Sequence, residues 1–574
     1  MTGTVPIPAV RPAAGRPLSP MVRLLTWRSR RGLPTPQCRV RVATGLGVPG
    51  ADGVTLAADH YIPQLDGPRP ALLVRCPYGR GFPWNFLFGA LFAEQGYHVL
   101  LQSCRGTGGS TGQFEPWRHE RADGLATVAW LAQQDWFTGQ LATMGPSYLG
   151  YVQWALAADP PPELRAMIVQ VGMSRPYPFL YRGGALALES MLIATATMQG
   201  IQGGLGGAVR ALLRLQRRLR RATRMLPLAE ACGYALGGHV GFVDGWLDHP
   251  DADDPYWRGV GLAATPTPAV PVSLISGWYD VCLDETLEDY GRLRAAGRPA
   301  RLTVGPWAHS SAFSDGLPVV AGEALRWLRG HLDDNPAGVA APPVRVHIGG
   351  AGEWRDLADW PPPGTAPQPW YPGPGGELSP EVAAAPGTAG FHYDPASPTP
   401  SAGGQLLSAR AGSVDDRRLE ARDDVLVFTS APLPAGLEVI GPVSARFRVQ
   451  ASNPHVDLFA RLCDVDEGGR SRSVCDGLQR HRPDPADQPG GEFPVTVRMS
   501  ATAHRFQAGH RIRLTVSGGA HPRFARNTGT GEPPATATRL VPADIRIQLG
   551  GADPAVLSLP VGPPPSAGSA ADPR

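Results

Sequence analysis

The stretch Met144-Gly145-Pro146-Ser147-Tyr148-Leu149-Gly150 decides how the rest of the chain is read. A short apolar run, "LATM" (141–144), leads into it, and "YVQWALAA" (151–158) follows. A strand that ends at a serine among small residues and turns at once into a helix is the setting of a nucleophile elbow. The sharp turn holds the hydroxyl clear of the backbone. The free N–H groups of the helix start can then face a developing oxyanion. Gly145 and Gly150 would relieve crowding at such a turn. Leu149 stands where G-x-S-x-G has its last glycine, and the glycine comes one residue later. Alone, the stretch also reads as a glycine-rich turn with an incidental serine.

A serine hydroxyl needs a base, and the base needs an orienting carboxylate. In α/β-hydrolases these follow in the order serine, acid, histidine. The run "VSLIS" (272–276) is followed by Gly277-Trp278-Tyr279-Asp280, and "RLTVG" (301–305) by Pro306-Trp307-Ala308-His309. Both groups sit just past strand ends, where open α/β sheets place their ligands. His98, His119 and His239 lack such a setting. A tetrahedral intermediate also needs donors. The Tyr148 backbone N–H is one, and a phenol in the loop Arg75-Cys76-Pro77-Tyr78-Gly79 can be another. Read alone, Tyr78 is as well explained by packing.

Around these loops, "ALLVRC" (71–76), "YHVLLQS" (97–103) and "AMIVQV" (166–171) are unalternating apolar runs, suited to strands buried on both faces. Helical patterns lie between them, so the expected fold class is α/β, a mostly parallel sheet covered on both sides. The expected organisation is a poorly ordered arm (1–45), a core in two parts (46–174 and 266–342) and a helical cap inserted between them (175–265). A C-terminal β domain (343–552) and a disordered tail (553–574) complete it. In the cap, "AVRALLRLQRRLRRATRM" (208–225) predicts a solvated arginine-rich helix with Val209, Leu212, Leu213 and Leu219 turned inward. Past the linker, alternating runs such as "ARFRVQAS" and "RIRLTVSG" predict an antiparallel sandwich or jelly roll.

Composition excludes several chemistries. The 574 residues carry a net charge of only +3, too little to argue for nucleic acid or another polyanion. Every basic residue is arginine. The chain therefore has no P-loop lysine, no Schiff-base lysine and no Ser-Lys dyad. Seven cysteines, an odd number without any C-x-x-C pair, argue against a disulfide framework or a zinc site and fit a reduced cytoplasm. No signal-peptide pattern and no apolar run of about 18 residues is seen, so no membrane partner is expected. No metal or cofactor is expected.

The motifs as a set resemble the CocE/NonD hydrolase family, which includes cocaine esterase, α-amino acid ester hydrolases and X-Pro dipeptidyl-peptidases. The matching segments are "VRCPYGR" (74–80), "QSCRGTGGSTG" (102–112), "ADGLATVAWLAQQDWFTGQLATMGPSYLG" (122–150), "SGWYD" (276–280) and "VGPWAHS" (304–310). "YRGGAL" (181–186), "DHPDADDPYW" (248–257), "EWRDLADWPPPG" (353–364) and "GHRIRLTVSGGAHPRFARNTGTG" (509–531) extend the match to nearly the whole chain from about residue 50 to 550. The esterase members are the nearest. The resemblance implies an α/β-hydrolase core, a helical cap and a C-terminal jelly roll. It implies Ser147 as nucleophile, His309 as base and Asp280 as orienting acid. It promotes Tyr78, with the Tyr148 N–H, to the oxyanion hole, and it makes the G-x-S-Y-x-G form of the elbow the expected one.

Two departures stand out, the first expected to affect loop structure and not chemistry, the second bearing on substrate. The family often has an acid before the "RG" loop, where this chain has Ser103. Relatives that bind a substrate α-ammonium place carboxylates just after the triad acid, where this chain has Val281, Cys282 and Leu283. Asp284 and Glu285 lie slightly beyond and could compensate. Trp154, Phe179, Trp278 and Cys282 are candidate walls of the acyl pocket. The reading is a cofactor-independent serine hydrolase of small-molecule esters or amides. A dipeptidyl-peptidase, an acyltransferase using the same acyl-enzyme and a silent ligand-binding protein stand as alternatives. A homo-oligomer is left open.

Overall fold

The computed structural model describes residues 16–17, 32–200, 204–258, 267–333, 335, 339–484 and 489–562. The first sheet opens with β1 (Arg16–Pro17), β2 (Val40–Pro49), β3 (Thr55–Pro63), β4 (Arg69–Cys76), β5 (His98–Ser103), β6 (Phe137–Ser147) and β7 (Leu164–Gly172). After a small hairpin, β8 (Tyr181–Arg182) and β9 (Ala185–Leu186), it resumes with β10 (Val272–Tyr279), β11 (Ala300–Ala308), β12 (Val344–Ile348) and β13 (Glu353–Leu357). Its strand order is β1-β2-β3-β5-β4-β6-β7-β10-β11-β12-β13. From β5 to β12 every neighbouring pair is parallel.

The unalternating runs have the burial they predict. All of β5 and the last six residues of β4 are buried. Strand periodicity then sorts side chains between two apolar cores. Leu72 and Val74 join one, Ala71 and Leu73 the other. Each such leucine or valine contributes about 1.5–3 kcal/mol by leaving water. The helices α1 (Glu120–Leu131) and α2 (Tyr148–Ala157) cover the sheet, as do Leu283–Ala295 and Leu317–Leu332.

The chain between β7 and β10 supplies the cap, with helices at Leu188–Gly200, Gly204–Ala222, Leu228–Leu236 and Gly241–Asp248. The arginine-rich helix corrects one expectation. Among its described side chains Ala208, Leu215 and Ala222 are buried and Leu212 and Leu219 are half-buried, whereas Val209 and Leu213 face solvent. The inward stripe uses alanines where the leucine pattern pointed elsewhere.

The C-terminal sheet path runs from Gly387–Tyr393 to Ser471–Arg480, with Glu492–Phe506 paired to Leu437–Ala451. Both halves of the path face a single core, Phe447, Ile545 and Leu557 from one half meeting Phe428, Leu462 and Leu514 from the other. This is a β sandwich, as the alternating runs predict.

Three expected boundaries move. The arm was expected to end at 45, but β2 begins at Val40 and pairs with β3. Its alternation is broken by a bulge between Ala43 and Leu46, where Gly45 takes φ 72°. The rest of the arm lies largely outside the described residues. The β domain was expected from 343, but β12 and β13 complete the first sheet, with Val344, Val346 and Ile348 wholly buried. The tail was expected to be disordered from 553. Instead Val556–Val561 is a strand between Ala366–Pro372 and Leu437–Ala451, with Leu557 and Leu559 inside the sandwich. Its proline- and glycine-rich surroundings hid the alternation. Residues from 563 lie outside the described residues. No described helix is long and apolar enough to cross a membrane.

Candidate active site

Ser147 ends β6 and precedes the first residue of α2. Its backbone sits at φ 56°, ψ −123°, a conformation L residues rarely adopt and which costs about 1–3 kcal/mol. Sequence and packing together enforce it. A Cβ on Gly145 would meet Leu149 at 2.6 Å, and one on Gly150 would meet the Gly172 backbone of β7 at 2.9 Å. The displaced glycine is therefore the point where α2 crosses β7. Gln153, one helical turn on, bonds the carbonyls of Gly145, Leu149 and Ile168 and locks α2 to β6 and β7.

The loops after β4, β10 and β11 emerge at the same carboxyl edge as Ser147, since these strands are parallel. Asp280 is fully buried, and its Oδ1 accepts the His309 Nδ1–H at 2.7 Å. Its Oδ2 accepts the Ser276 hydroxyl at 2.7 Å. A carboxylate can only accept, so this pair holds His309 with the proton on Nδ1 and leaves Nε2 free to take one. The Trp307 indole donates to the Ser276 carbonyl and braces β10 against β11.

The Tyr78 hydroxyl is hydrogen-bonded to Ser147, and burial pushes its phenol well above the ordinary range, so it stays a donor at neutral pH. Arg80 staples the Tyr78 loop: its guanidinium donates to the Ser103 hydroxyl at 2.6 Å and the Gly108 carbonyl at 2.7 Å, and pairs with Asp59 at 3.2 Å. Ser103 therefore serves as an acceptor for Arg80 where the family often has an acid.

Tyr148 is held behind the elbow by residues that sequence reading did not single out. Its hydroxyl donates to Glu120 and accepts the Trp117 N–H, both at 2.8 Å. Glu120 in turn pairs with Arg75 at 2.9 Å, with both side chains about as buried as the core. Trp117 takes φ 71° to make its contact. The available signal was Arg75, a cation inside the apolar run "ALLVRC", which needs a buried partner. Glu120→Gln leaves that guanidinium buried beside a neutral amide. It is expected to destabilise the fold by about 3–5 kcal/mol, read as a fall in urea midpoint with little change in slope.

The pocket candidates divide by face. Phe179 and Cys282 lie in the same apolar cluster as Tyr148. Trp154 and Trp278 lie in the other apolar cluster. Trp278 donates its indole N–H to the His347 carbonyl at 2.7 Å and packs on Trp360. Strand and helix periodicity, not proximity in sequence to Ser147 and Asp280, decided their side.

Asp284 and Glu285 are engaged elsewhere. Asp284 accepts the Ser500 hydroxyl at 3.1 Å and lies 4.0 Å from the Arg182 guanidinium. Glu285 accepts the Arg175 backbone N–H at 3.0 Å, and burial raises its carboxyl pKa. Arg182, from the cap hairpin, also contacts the Val281 carbonyl and Gln405, so one guanidinium ties cap, acid loop and β domain together. A cavity of about 290 Å³ lies between cap and β domain, walled by Leu188, Leu228, His455, Arg480 and His521, with none of the site residues in its wall.

Residues 52–311 match the family model of the X-Pro dipeptidyl-peptidase (S15 family), and residues 337–558 match the X-Pro dipeptidyl-peptidase C-terminal non-catalytic domain. Cocaine esterase of Rhodococcus sp. (strain MB1 Bresler) is 34% identical over 542 residues, covering 85% of this chain and 93% of that protein. Two solved structures share the fold at 21% identity. One is an α-amino acid ester hydrolase (TM-score 0.76, covering 91% of this chain and 96% of that one). The other is an aminopeptidase from a marine sediment Thaumarchaeota archaeon (TM-score 0.74, 92% and 97%). The chain belongs to the hydrolase family that contains cocaine esterase, built from an S15-type catalytic region followed by the X-Pro dipeptidyl-peptidase C-terminal domain.

Proposed function

We propose that this protein hydrolyses small-molecule carboxylic esters through an acyl-enzyme on Ser147. The observation that carries the reading is the buried Asp280–His309 pair at 2.7 Å, at the same sheet edge as a serine held at positive φ. Ser147 Oγ attacks the acyl carbonyl while His309 Nε2 takes its proton. Asp280 keeps the imidazole in the productive tautomer and stabilises the imidazolium. The oxyanion is met by the Tyr78 hydroxyl and the Tyr148 N–H. His309 then protonates the leaving alcohol, and water, activated by the same base, releases the acid.

Esters are favoured over peptide-like substrates because, among the described residues that follow Asp280, no carboxylate without a partner awaits an α-ammonium group. Cys282 and Leu283 occupy the near positions, and Asp284 and Glu285 already have partners. A charged amine entering there would be buried without a counter-ion. A tenfold or greater preference for X-Pro amides over aryl esters, measured as kcat/KM, would reverse this order.

A fluorophosphonate probe tests the nucleophile directly, with one adduct expected on the Ser147 peptide. Folded protein that takes up no label there would sink the proposal. Tyr78→Phe is expected to lower kcat about a hundred- to a thousandfold with KM little changed, because the lost donor acts on the transition state. Full activity in that variant would remove Tyr78 from the oxyanion hole.

A further inference from the structure

We infer that Asp280, Cys282 and His309 form an inhibitory site for a thiophilic divalent cation such as Zn²⁺, superimposed on the catalytic centre. One imidazole nitrogen of His309, one Asp280 carboxylate oxygen and Cys282 Sγ all lie within 4.8 Å of one another. A single zinc spans a sulfur and a nitrogen about 4.4 Å apart when the two are opposite, and less when tetrahedral, so Sγ needs to close by at most about an ångström. Carboxylate, imidazole and thiolate are a donor set zinc accepts, and three protein ligands leave a fourth position open. Asp280 and Cys282 are fully buried, and a divalent ion there is neutralised by one carboxylate and one thiolate. Ser276, which donates to Asp280 Oδ2, fixes the carboxylate from behind. The sequence could not show this site by spacing, because Cys282 belongs to no C-x-x-C pair and His309 arrives from another strand.

The consequence for turnover rests on the proposed triad, but the binding does not. As the cation binds, Cys282 releases its thiol proton to solvent. Nδ1 of His309 becomes a ligand, and its proton moves to Nε2. An imidazole protonated at Nε2 cannot accept a proton from Ser147, so the base is lost without any change in oxidation state. Because the ligands are buried, inhibition is expected to develop slowly after mixing.

Cobalt titration of the full chain tests the site independently of activity. One equivalent of Co²⁺ per chain is expected to bind with a thiolate-to-cobalt charge-transfer band in the near ultraviolet. Zn²⁺ should displace the cobalt and suppress ester turnover in step with its occupancy. Among the described residues no other trio of His, Cys, Asp or Glu has this geometry, so the band reports Cys282. Cys282→Ala is expected to lose the band and to weaken Zn²⁺ binding at least tenfold. Cys282→Ser, closer in volume, guards against a folding defect and should lose the band as well. The Ser147→Ala protein should keep the band, which separates the metal site from the nucleophile. Cobalt bound without a thiolate band, or Zn²⁺ affinity unchanged in both Cys282 variants, would overturn the inference.

Discussion

Replacing Ser147 by alanine is expected to lower aryl-ester turnover about a millionfold, to the level left by the remaining groups of a triad enzyme. The same change should leave the melting curve almost where it was. Alanine gives up the hydrogen bond to Tyr78 and keeps the Cβ. What Ser147 does contribute is strain, since its backbone lies at φ 56°. Ser147→Gly removes the Cβ that makes this conformation costly, and should therefore be inactive yet more stable by about 1 kcal/mol or more. Calorimetry beside ester kinetics reads both quantities. A glycine variant that melts lower than the parent would mean the elbow is not strained. An alanine variant with more than a thousandth of parental kcat would mean another group attacks the carbonyl.

That strain is also why the catalytic loop is legible in the sequence. The elbow needs glycines on both sides, and Gly145 and Gly150 stand where a Cβ would strike Leu149 or the β7 backbone. Buried parallel strands leave long apolar runs, and the loops after them display the acid and the histidine in chain order. Linear patterning fails where three-dimensional context chooses between equivalent solutions. Trp154 and Trp278 are near the triad residues in sequence, yet they project to the opposite core. In the arginine-rich helix, Ala208, Leu215 and Ala222 rather than the expected Val209 and Leu213 are buried, because the helix packs on a different face from the one the leucine pattern marks. The partnership of Arg75 with Glu120 links a strand to a helix start 45 residues later, and no local pattern encodes it. Strands β2 and Val556–Val561 were missed because a bulge in one and proline-rich flanks on the other obscured a two-residue period.

The arrangement also separates stability from chemistry in space. The side chains that hold the elbow, Gln153 and the Arg75–Glu120 pair that anchors the Tyr148 hydroxyl, bond to the backbone and to one another, and of this group only the Tyr148 N–H is assigned to the reaction. On the cap side, Arg182 of the hairpin reaches the acid loop and the β domain. Losses among the side chains that hold the elbow should therefore appear first as lost stability, and losses on the cap side as altered kcat and KM on a stable fold.

Asp280→Asn is the second large expected effect, and here the two quantities move apart. An asparagine can present an N–H to His309, which favours the imidazole tautomer with its proton on Nε2. That tautomer cannot accept the Ser147 proton, and kcat should fall about ten-thousandfold. The fold should not suffer with it. Asp280 is fully buried, and its hydrogen-bond donors are the neutral Ser276 hydroxyl and the His309 ring. A buried carboxylate with so little compensation is a cost the neutral amide avoids, so the variant should melt at or above the parental temperature. Fluorophosphonate labelling of Ser147 should slow in proportion to kcat, since both need the base. Wild-type turnover in a folded Asp280→Asn protein would take Asp280 out of the triad. A large fall in melting temperature would mean instead that Asp280 chiefly holds the fold, with its bond to His309 structural.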